Sequence, residues 1–388
     1  MKSFIVGTGH TRFGKLDTLD LESLIVAAAR EALSDAGIAG EEVDGVWLGH
    51  FNSGLVPDAF CSSMILNADP GLRFKPAMRC ENACASGSAA IYAALDAVVS
   101  GRCKVALVVG AEKMTAVDTA GVTAALSGAA YQAEERSLSF PQIFARFASA
   151  YADAYEDPTE AMARIAVKNH ENALGNPLAH MRRKIDLDYA LHASDKNPFI
   201  APPLKLSDCS LISDGAAAVV IADQSVLPRF RRAVGFRAHE LVSDLLPLSA
   251  KEPERFEGPT RAVRQAYHSA GITVDDLDLA EVHDCFTIAE LLSVEALGLA
   301  SRGQGSAVIR EGQTERDGRL PINLSGGLKA KGHPVGATGV SMHVMIARQL
   351  LGAAGDLQLS RAPSLGLCLN LGGGAVTSAV SILEAVRN

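Results

Sequence analysis

Apolar residues along this chain follow two spacings, and their alternation predicts strands followed by helices. Residues 21–36 and 86–100 carry apolar side chains at the spacing of one helical face, and a glycine that can end a helix follows each segment. Short, almost continuously apolar runs are typical of strands buried on both faces. Such runs occupy residues 4–6, 43–48, 105–109 and 365–369. The pattern therefore predicts an α/β protein with mostly parallel strands between helices.

One stretch of the chain occurs twice. Residues 30–46 read REALSDAGIAGEEVDGV, and residues 264–280 read RQAYHSAGITVDDLDLA. The arginine, the Ala-Gly-Ile triplet, the acidic pair and the aspartate before the next strand coincide in the two copies. A repeat of this kind indicates two copies of one supersecondary unit.

A second match lies at the start of a helix in each copy. Residues 85–87 (Ala-Ser-Gly) resemble residues 337–339 (Ala-Thr-Gly), which precede a helical pattern at residues 340–351. Gly336 occupies in the second copy the place that Cys84 has in the first. Only one of the two equivalent turns therefore carries a thiol.

The repeat divides the chain into two halves. Apolar runs at residues 214–222 and 373–381 read as the closing strand of each half. We therefore expect an N-terminal half at residues 1–225 and a C-terminal half at residues 226–388, each with a βαβαβ-type order of elements.

The first half also carries a long insertion. Residues 110–213 separate two of its strands, and this segment, of which residues 110–207 form the insertion, is too long for a simple loop. It contains helical patterns at residues 141–155 and 160–174 and a basic run at residues 182–184. We expect an inserted loop subdomain that lies over one face of the core.

Composition narrows the classes of function. A net charge of −8 and an aromatic content of 5% argue against nucleic-acid binding. The seven cysteines are an odd number without a CxxC pair, which favours a reducing compartment over a disulfide framework. No apolar run has the length of a membrane helix, and the first one meets Gly7 too early for a secretory signal. We expect a cytoplasmic protein.

A cysteine among small residues is the first candidate for chemistry. Residues 81–87 read ENACASG, and Cys84 comes just before the helix predicted from Ser86. Backbone N–H groups and the dipole at a helix N-terminus favour a thiolate there, and the small neighbours leave room for a substrate. The alternative is a buried structural cysteine, because free cysteine is among the most buried residue types.

The pseudo-twofold relation of the halves predicts which other segments join Cys84. Equivalent turns should meet at the carboxyl ends of the strands, where α/β proteins form their sites. The segments that we expect there are residues 332–339 (GHPVGATG), residues 283–286 (HDCF) and residues 368–374 (CLNLGGG).

The side chains of these segments include the groups that a reaction through a cysteine nucleophile needs. His333 lies between a glycine and a proline and is a candidate base for Cys84. His283, His333 and glycine-rich backbone N–H groups can stabilise an oxyanion. A second thiol, Cys285 or Cys368, can move a proton to or from another substrate. Taken singly, His283 also fits a strand-end histidine and Cys368 a core residue.

These motifs, in this order, resemble those of the thiolase family. NACASG at residues 82–87 resembles the family's nucleophile motif, and KGHPVGATG at residues 331–339 resembles its catalytic-histidine motif. SDGAAAVVIAD at residues 213–223 resembles the strand that closes its first half. HDCF at residues 283–286 is the form found in the sterol-carrier-protein type, where commoner thiolases have Asn-Glu-Ala-Phe. The resemblance covers the whole chain.

The resemblance implies a thiolase-like fold of roughly five layers with an inserted loop subdomain. It implies that Cys84 is the acylated nucleophile, and that His333 activates it and holds a thioester oxygen together with His283. The backbone N–H of Cys84, with that of Asn370 or Gly372, would form a second oxyanion hole.

The resemblance also implies the binding partners. Acyl-CoA and coenzyme A would be substrate and product and would lie against the inserted region, so no resident cofactor and no metal are expected. A homodimer or homotetramer is expected. Relatives of this type sometimes require a small OB-fold partner subunit, which is a further possibility here.

One position departs from the commoner pattern. Commoner thiolases carry Cys-x-Gly near the C-terminus, and that cysteine is the second acid/base, whereas this chain reads Cys368-Leu369-Asn370. The resemblance to the sterol-carrier-protein type implies that the cysteine of the HDCF motif, here Cys285, takes the acid/base role instead. We therefore predict Cys285 as the second acid/base, with Cys368 as the alternative.

The function predicted is that of an acyl-CoA acyltransferase of the thiolase type. The enzyme would cleave a 3-oxoacyl-CoA with coenzyme A or run the reverse Claisen condensation through an acyl group on Cys84. Two alternatives stay open: transfer of the acyl group to an acceptor other than coenzyme A, and an acyl-CoA or lipid carrier without thiolysis.

Overall fold

The duplicated sequence pattern folds into two sets of strands and helices. The computed structural model describes residues 2–386, so Met1, Arg387 and Asn388, at the outer ends of the predicted halves, lie outside the described residues. The first set begins with β1 (Ser3–His10), α1 (Leu21–Ala36), β2 (Gly45–Gly49), β3 (Ala77–Cys80), α2 (Ser86–Val99) and β4 (Val105–Glu112). The inserted segment holds α3 (Thr119–Ser127), α4 (Gln132–Glu135), α5 (Phe140–Ala154), α6 (Thr159–Ala173), α7 (Leu187–Leu191), β5 (Phe199–Ala201) and β6 (Leu204–Lys205). The chain continues with β7 (Gly215–Asp223), β8 (Val234–Ser243), α8 (Glu257–Ala270), β9 (Leu279–Val282), α9 (Thr287–Ala296), α10 (Gly305–Arg310), a π-helical turn (Gly327–Lys331), α11 (Val335–Leu350), β10 (Leu365–Gly372) and β11 (Thr377–Ala385).

One mixed sheet runs through both sets of strands. Its nine strands follow the order β3-β2-β4-β7-β1-β8-β11-β10-β9. From the middle outward, β1, β7, β4 and β2 correspond to β8, β11, β10 and β9, so both sets repeat one strand order. They join where Phe4 and Ile5 of β1 pair with Gly235 and Val234 of β8. The repeat seen in the sequence is thus a repeat of topology.

The prediction of mostly parallel strands is wrong. β2 runs parallel to β3 and β4, and β9 runs parallel to β10. However, β7 is antiparallel to β4 and β1, and β11 is antiparallel to β10 and β8. Only a short turn joins β10 to β11, and so short a connection requires antiparallel neighbours. A continuous apolar run indicates that a strand is buried on both faces, but it does not indicate the direction of the strand relative to its neighbours.

Two helices lie back to back in the middle of the molecule. A Cβ on Gly87 of α2 would lie 2.8 Å from the carbonyl oxygen of Gly336 in α11. A Cβ on Gly339 would lie 2.4 Å from the backbone nitrogen of Ser88. On the outside, α1 packs against β1 and β7, and α8 packs against β8 and β11. The helix and strand layers therefore follow the five-layered α/β arrangement that was expected.

Most predicted helix ends are confirmed to within a residue or two. α1 begins after Asp20, whose carboxylate accepts a hydrogen bond from the backbone N–H of Ser23 at 2.8 Å. It ends at Gly37, which has a left-handed backbone with φ of 70°. The helical patterns at residues 141–155 and 160–174 correspond to α5 and α6.

Two element starts differ from the prediction. α11 begins at Val335, ahead of the apolar spacing that predicted it, because the small residues of the turn continue the helix where it packs against α2. β11 begins only at Thr377. Gly373, with φ of 61°, starts a tight turn that is closed by a hydrogen bond from Val376 N–H to the carbonyl of Gly372 at 2.9 Å.

The inserted segment lies against elements of the second half. Lys168 of α6 forms a buried ion pair with Glu290 of α9, with 2.7 Å between Nζ and Oε1. The ring of Phe144 in α5 stacks on Phe286, with ring centroids 4.8 Å apart. These contacts cover the HDCF segment. The boundaries of the halves and of the inserted subdomain stay predictions.

Two features bear on the expectations from composition. All seven cysteines are free thiols. Within residues 2–386, no helix combines the length and the apolar character needed to cross a membrane.

Candidate active site

The turn that carries Cys84 buries the thiol and is held by hydrogen bonds. It connects the end of β3 to the start of α2, and Cys84 is only 8% exposed. Ala83 has a left-handed backbone, with φ of 49°, which costs energy for a residue other than glycine. The Ser86 hydroxyl holds this conformation, because it donates to the carbonyl of Ala83 at 2.6 Å and accepts from the N–H of Asn82 at 2.9 Å.

The turn that carries His333 is set by contacts from the first half. Gly332 has φ of 116°, and a Cβ there would lie 2.7 Å from Oγ of Ser213. The backbone N–H of Gly336 donates to Oε2 of Glu112 at 3.0 Å. A residue with a side chain at position 332 would displace the turn, which explains the Gly-His-Pro sequence.

His283 is placed by the register of two parallel strands. It follows β9 directly, and Val282 at the end of β9 pairs with Leu369 of β10. The next residue of β10, Asn370, therefore lies beside His283, and its Nδ2 is 3.0 Å from His283 Nδ1.

The structure brings Cys84, His283 and His333 together. The Cys84 sulfur and one ring nitrogen of each histidine all lie within 4.8 Å of one another. The two imidazole rings meet edge to face, with centroids 5.0 Å apart and planes at 83°. This geometry follows from the meeting of the two halves that the repeat predicted.

The two candidate second thiols lie in different surroundings. Cys285 is close enough for the charge of a Cys84 thiolate to raise its pKa, in addition to the larger effect of burial. Cys368 lies in β10, the strand next to the edge strand β9, and pairs with Glu281 of β9 and Ser381 of β11. Burial and then the charge of Glu281 raise the pKa of Cys368. Because the charge of Cys84 acts on Cys285, whereas Glu281 and Lys331 are the charges that act on Cys368, Cys285 is the better placed of the two.

Burial keeps the reacting pair neutral. It raises the pKa of the Cys84 thiol to about 12, although the backbone N–H groups of Gly373 and Cys84 oppose this. Burial and the charge of Lys331 lower the pKa of His333 to about 3. The expectation of a thiolate at the helix start is therefore wrong for the free protein, because the cost of burying a charge exceeds the stabilisation from the N–H groups.

A titration by ultraviolet absorbance tests this neutral state. Thiolates absorb near 240 nm and thiols do not, so we expect wild-type protein and Cys84→Ala to give the same absorbance from pH 6 to pH 9, because a thiol with a pKa of about 12 stays protonated there. Cys61→Ala serves as a control for the loss of another buried thiol. An excess absorbance of wild type over Cys84→Ala at pH 7 would contradict the neutral pair.

The spacing of the two histidines suits an oxygen atom. Ring nitrogens no more than 4.8 Å apart can both lie at hydrogen-bond distance from one oxygen placed between them. Cys84 and the two histidines are also possible metal ligands, since a thiolate and imidazole nitrogens are donors that zinc accepts. The absence of a metal stays a prediction.

The second predicted oxyanion hole includes Gly373 in addition to the residues that were predicted. The backbone N–H groups that face the Cys84 sulfur are those of Cys84 and Gly373. Gly372 packs directly under the turn, since a Cβ there would lie 2.4 Å from the carbonyl of Asn82. Asn370 contacts the turn through its side chain, whose Nδ2 donates to the carbonyl of Cys84 at 3.2 Å. The roles of the Asn370 and Gly372 N–H groups stay predictions.

Two buried carboxylates were missed at the sequence level. Glu112 accepts from the N–H groups of Phe51 and Gly336 and therefore ties the His333 turn to the first half. Asp284 accepts from the N–H groups of Leu328 and Lys329 in the π-helical turn that leads to His333. Burial and the nearby Glu290 raise the pKa of Asp284. The one available signal was a carboxylate inside or next to an apolar strand, which requires a partner when buried.

An open cavity adjoins the Cys84 turn. It has a volume of about 460 Å³, and its lining includes Phe51, Asn82, Ala83, Gly372 and Gly373. A larger groove of about 680 Å³ lies between α5, the turn after β5 and the segment around Leu248. The Cys84 turn is therefore accessible from one side although the thiol itself is buried.

Family models match both parts of the chain. Residues 3–189 match the model described as "Thiolase, N-terminal domain". Residues 246–385 match the model described as "Thiolase C-terminal domain-like". Together these two matches span most of the chain.

Individual relatives match over nearly the whole chain. An acetyl-CoA acetyltransferase of Methanothermobacter thermautotrophicus is 36% identical over 384 residues, which is 98% of this chain and 98% of that protein. Human sterol carrier protein 2 is 32% identical over 396 residues, which is 96% of this chain and 70% of that protein.

Solved structures share the fold at lower identity. One described as an Ltp2-ChsH2(DUF35) aldolase superposes with a TM-score of 0.84 at 23% identity and covers 100% of this chain and 98% of that chain. Human mitochondrial 3-ketoacyl-CoA thiolase in complex with CoA superposes with a TM-score of 0.77 at 19% identity, with coverage of 100% and 98%.

Proposed function

The chain belongs to the thiolase family and is an acyl-CoA acyltransferase of the thiolase type, and we propose that it carries the acyl group on Cys84. One observation supports this most strongly: the Cys84 sulfur lies within 4.8 Å of a ring nitrogen of both His283 and His333. A nucleophile, a base and a donor for a developing oxyanion are thus in one place.

The first step forms the bond to sulfur. In the direction of thiolysis, His333 takes the Cys84 proton as the sulfur attacks the 3-keto carbon of a 3-oxoacyl-CoA. The attack places a negative charge on the 3-keto oxygen, and the backbone N–H groups of Cys84 and Gly373 stabilise this charge. His283 and the now protonated His333 donate to the thioester oxygen of the same substrate. A neutral pair is suited to this step, because charge develops only as the bond forms.

The second step breaks the carbon–carbon bond. The electron pair of that bond moves into the thioester enolate, whose oxygen lies between His283 and His333, and the 3-keto oxygen regains its double bond. Cys285 donates its proton to C2 of the enolate, and acetyl-CoA leaves. The acyl group then remains on Cys84 as a thioester.

The third step transfers the acyl group. The thiol of incoming coenzyme A loses its proton to the Cys285 thiolate and attacks the acyl carbon. The bond to the Cys84 sulfur breaks, and His333 returns its proton to that sulfur. All groups are back in their starting states, and the same steps in reverse give a Claisen condensation.

Trapping of the acyl-enzyme tests this proposal. The purified chain is incubated with a panel of short, long and branched acyl-CoA compounds without an acceptor, quenched in acid and digested for mass spectrometry. We expect one acyl mass on the peptide that contains Cys84, removable by added coenzyme A. An acyl group on another cysteine, or none with any compound, would overturn the proposal. An acyl group that coenzyme A does not remove would point to a different acceptor.

We propose further that coenzyme A acts as substrate and product, with no resident cofactor or metal. The thiols, imidazoles and backbone N–H groups described above supply every proton transfer and every oxyanion contact in the three steps. Turnover should therefore survive dialysis against a strong chelator. A loss of activity that zinc restores would contradict this.

A homodimer is also proposed. Within the described residues, β3 is one of the two outer strands of the nine-stranded sheet and pairs only with β2. Met78 in this strand is 40% exposed, and Phe74 just before it is 86% exposed. An exposed strand edge with apolar side chains favours pairing with another chain. Light scattering during size-exclusion chromatography would show a mass of one chain if this is wrong.

A small partner subunit and a cytoplasmic location are the remaining proposals. The description of one structural neighbour names a DUF35 component, which fits a partner for this chain. Turnover by the purified chain alone would show that no partner is required. The free state of all seven cysteines supports a reducing compartment, which cell fractionation would test.

A further inference from the structure

The side chain of Asn370 connects the three segments of the site. It is fully buried in β10, and its amide contacts Ser88 of α2, the backbone of Cys84 and the ring of His283. None of the three proposed steps assigns this amide a task. Its contacts nevertheless determine where the proton of His283 lies.

The partners of Asn370 define the orientation of its amide. The carbonyl of Cys84 can only accept a hydrogen bond, so the atom that lies 3.2 Å from it is the donor Nδ2. On the other side, Oδ1 accepts from the Ser88 hydroxyl at 2.8 Å. The same Nδ2 lies 3.0 Å from His283 Nδ1, which must therefore be the acceptor. A neutral imidazole that accepts at Nδ1 carries its proton on Nε2.

His333 is held in the opposite tautomer. Its Nδ1 lies 2.7 Å from the hydroxyl oxygen of Thr338. That hydroxyl donates its one proton to the carbonyl of Pro334 at 3.0 Å, so the oxygen is free to accept from Nδ1–H. The Nε2 atom of His333 is then without a proton and can serve as a base.

We propose that Asn370 is a positioning residue that keeps the proton of His283 on Nε2, so that His283 donates to the substrate oxygen while His333, in the opposite tautomer, accepts the proton of Cys84. This inference rests on the proposed function and assigns the two adjacent histidines different tasks. Burial lowers the pKa of His283 well below its usual value, which keeps the ring neutral and makes its tautomer decisive. Without an amide donor at position 370, His283 could present a lone pair to the oxyanion.

Asn370→Asp tests this by reversing one hydrogen bond. A carboxylate in place of Nδ2 accepts instead of donates, and it draws the His283 proton to Nδ1. We expect kcat to fall by about 10²- to 10³-fold, the effect of losing one oxyanion donor, while KM changes little. In ¹⁵N spectra of histidine-labelled protein at pH 7, the His283 signals should change from Nε2–H in wild type to Nδ1–H in the variant. His283→Asn identifies those signals by their loss.

Asn176→Asp is the matched control. Asn176 is also a buried asparagine whose Nδ2 donates to a carbonyl, that of Ser325, and it contacts neither Cys84 nor a site histidine. A purely structural effect of a buried carboxylate should lower the melting temperatures of both variants, but only Asn370→Asp should change the tautomer and kcat.

The wild-type spectrum decides the proposal even if Asn370→Asp does not fold. Nδ1–H on His283 in the wild type would overturn it, and so would a variant with the changed tautomer but full kcat. Failure of the proposed function looks different, because turnover would then survive Cys84→Ala whatever the tautomer of His283.

Discussion

Replacement of Cys84 by alanine is expected to lower kcat for thiolysis of a 3-oxoacyl-CoA by at least about 10⁴-fold, the order of loss seen when an enzyme loses its nucleophile. We expect no other thiol to take its place, because the proposed mechanism uses Cys285 as the acid/base and Cys368 lies within the sheet, opposite Glu281. The thiol packs in an apolar cluster that includes Phe51, Leu55 and Val335, and replacing this one sulfur atom should cost about 1 kcal/mol of folding free energy. Thiolysis converts one thioester and one free thiol into two thioesters, so loss of the coenzyme A thiol with time at saturating substrate measures kcat.

Cys61→Ala is the control for this variant. Cys61 is also a buried free cysteine, but it lies in the core of the first half, in a different apolar cluster from Cys84. Its variant should keep wild-type kcat. If Cys84→Ala turns over substrate as fast as Cys61→Ala, the acyl-cysteine mechanism is wrong and the alternative of a carrier gains support, provided that acyl-CoA binding survives.

The second large effect is expected at Cys285. Cys285→Ala should lower kcat for carbon–carbon cleavage by about 10²- to 10⁴-fold, because the enolate at C2 then has no positioned proton donor. Cys368→Ala should leave kcat close to wild type, because Cys368 is fully buried beside Glu281 and Ser381, and burial followed by the charge of Glu281 raises its pKa, without a contribution from Cys84. Matched kinetics of the two alanine variants decide between the two thiols.

Separate measurements of Cys84 acylation and of carbon–carbon bond cleavage make this test sharper. Transfer of an acetyl group from acetyl-CoA to Cys84 releases a thiolate, which has a conjugate-acid pKa of about 8.5 and is a much weaker base than the enolate carbon, so this step depends less on a proton from Cys285 than carbon–carbon cleavage does. In the Cys285→Ala variant, Cys84 should therefore still be acetylated by acetyl-CoA, although the variant fails to cleave or form the carbon–carbon bond. A large loss in Cys368→Ala with normal kinetics in Cys285→Ala would reverse the assignment.

Much of the fold follows from local patterns in the sequence. The apolar spacing of residues 21–36 gives α1 its bounds, because capping by Asp20 and the left-handed Gly37 are local effects. The repeated stretch at residues 264–280 likewise predicts the second copy of the topology. Strand direction did not follow, because an apolar run is the same whether its neighbour is parallel or antiparallel.

The members of the site could also be named from the sequence. Cys84, His283 and His333 stand in motifs with unusual glycine and proline neighbours, and the pseudo-twofold relation of the halves requires equivalent turns to meet. Glu112 and Asp284 were missed, because their tasks depend on N–H groups distant in sequence, such as that of Gly336.

The sequence by itself thus determined which elements form, that they form twice, and which side chains are available to react. Only the tertiary structure decided the protonation of those side chains. The pKa of Cys84, about 12, reflects how completely the two halves bury the thiol, and a helix N-terminus considered alone predicted the opposite. The tautomers of the histidines depend on Asn370 and Thr338. The pKa values and tautomers depend on burial and on hydrogen-bond partners, which are set by all neighbours in space. These neighbours come from distant parts of the chain, so no local stretch of sequence contains the information.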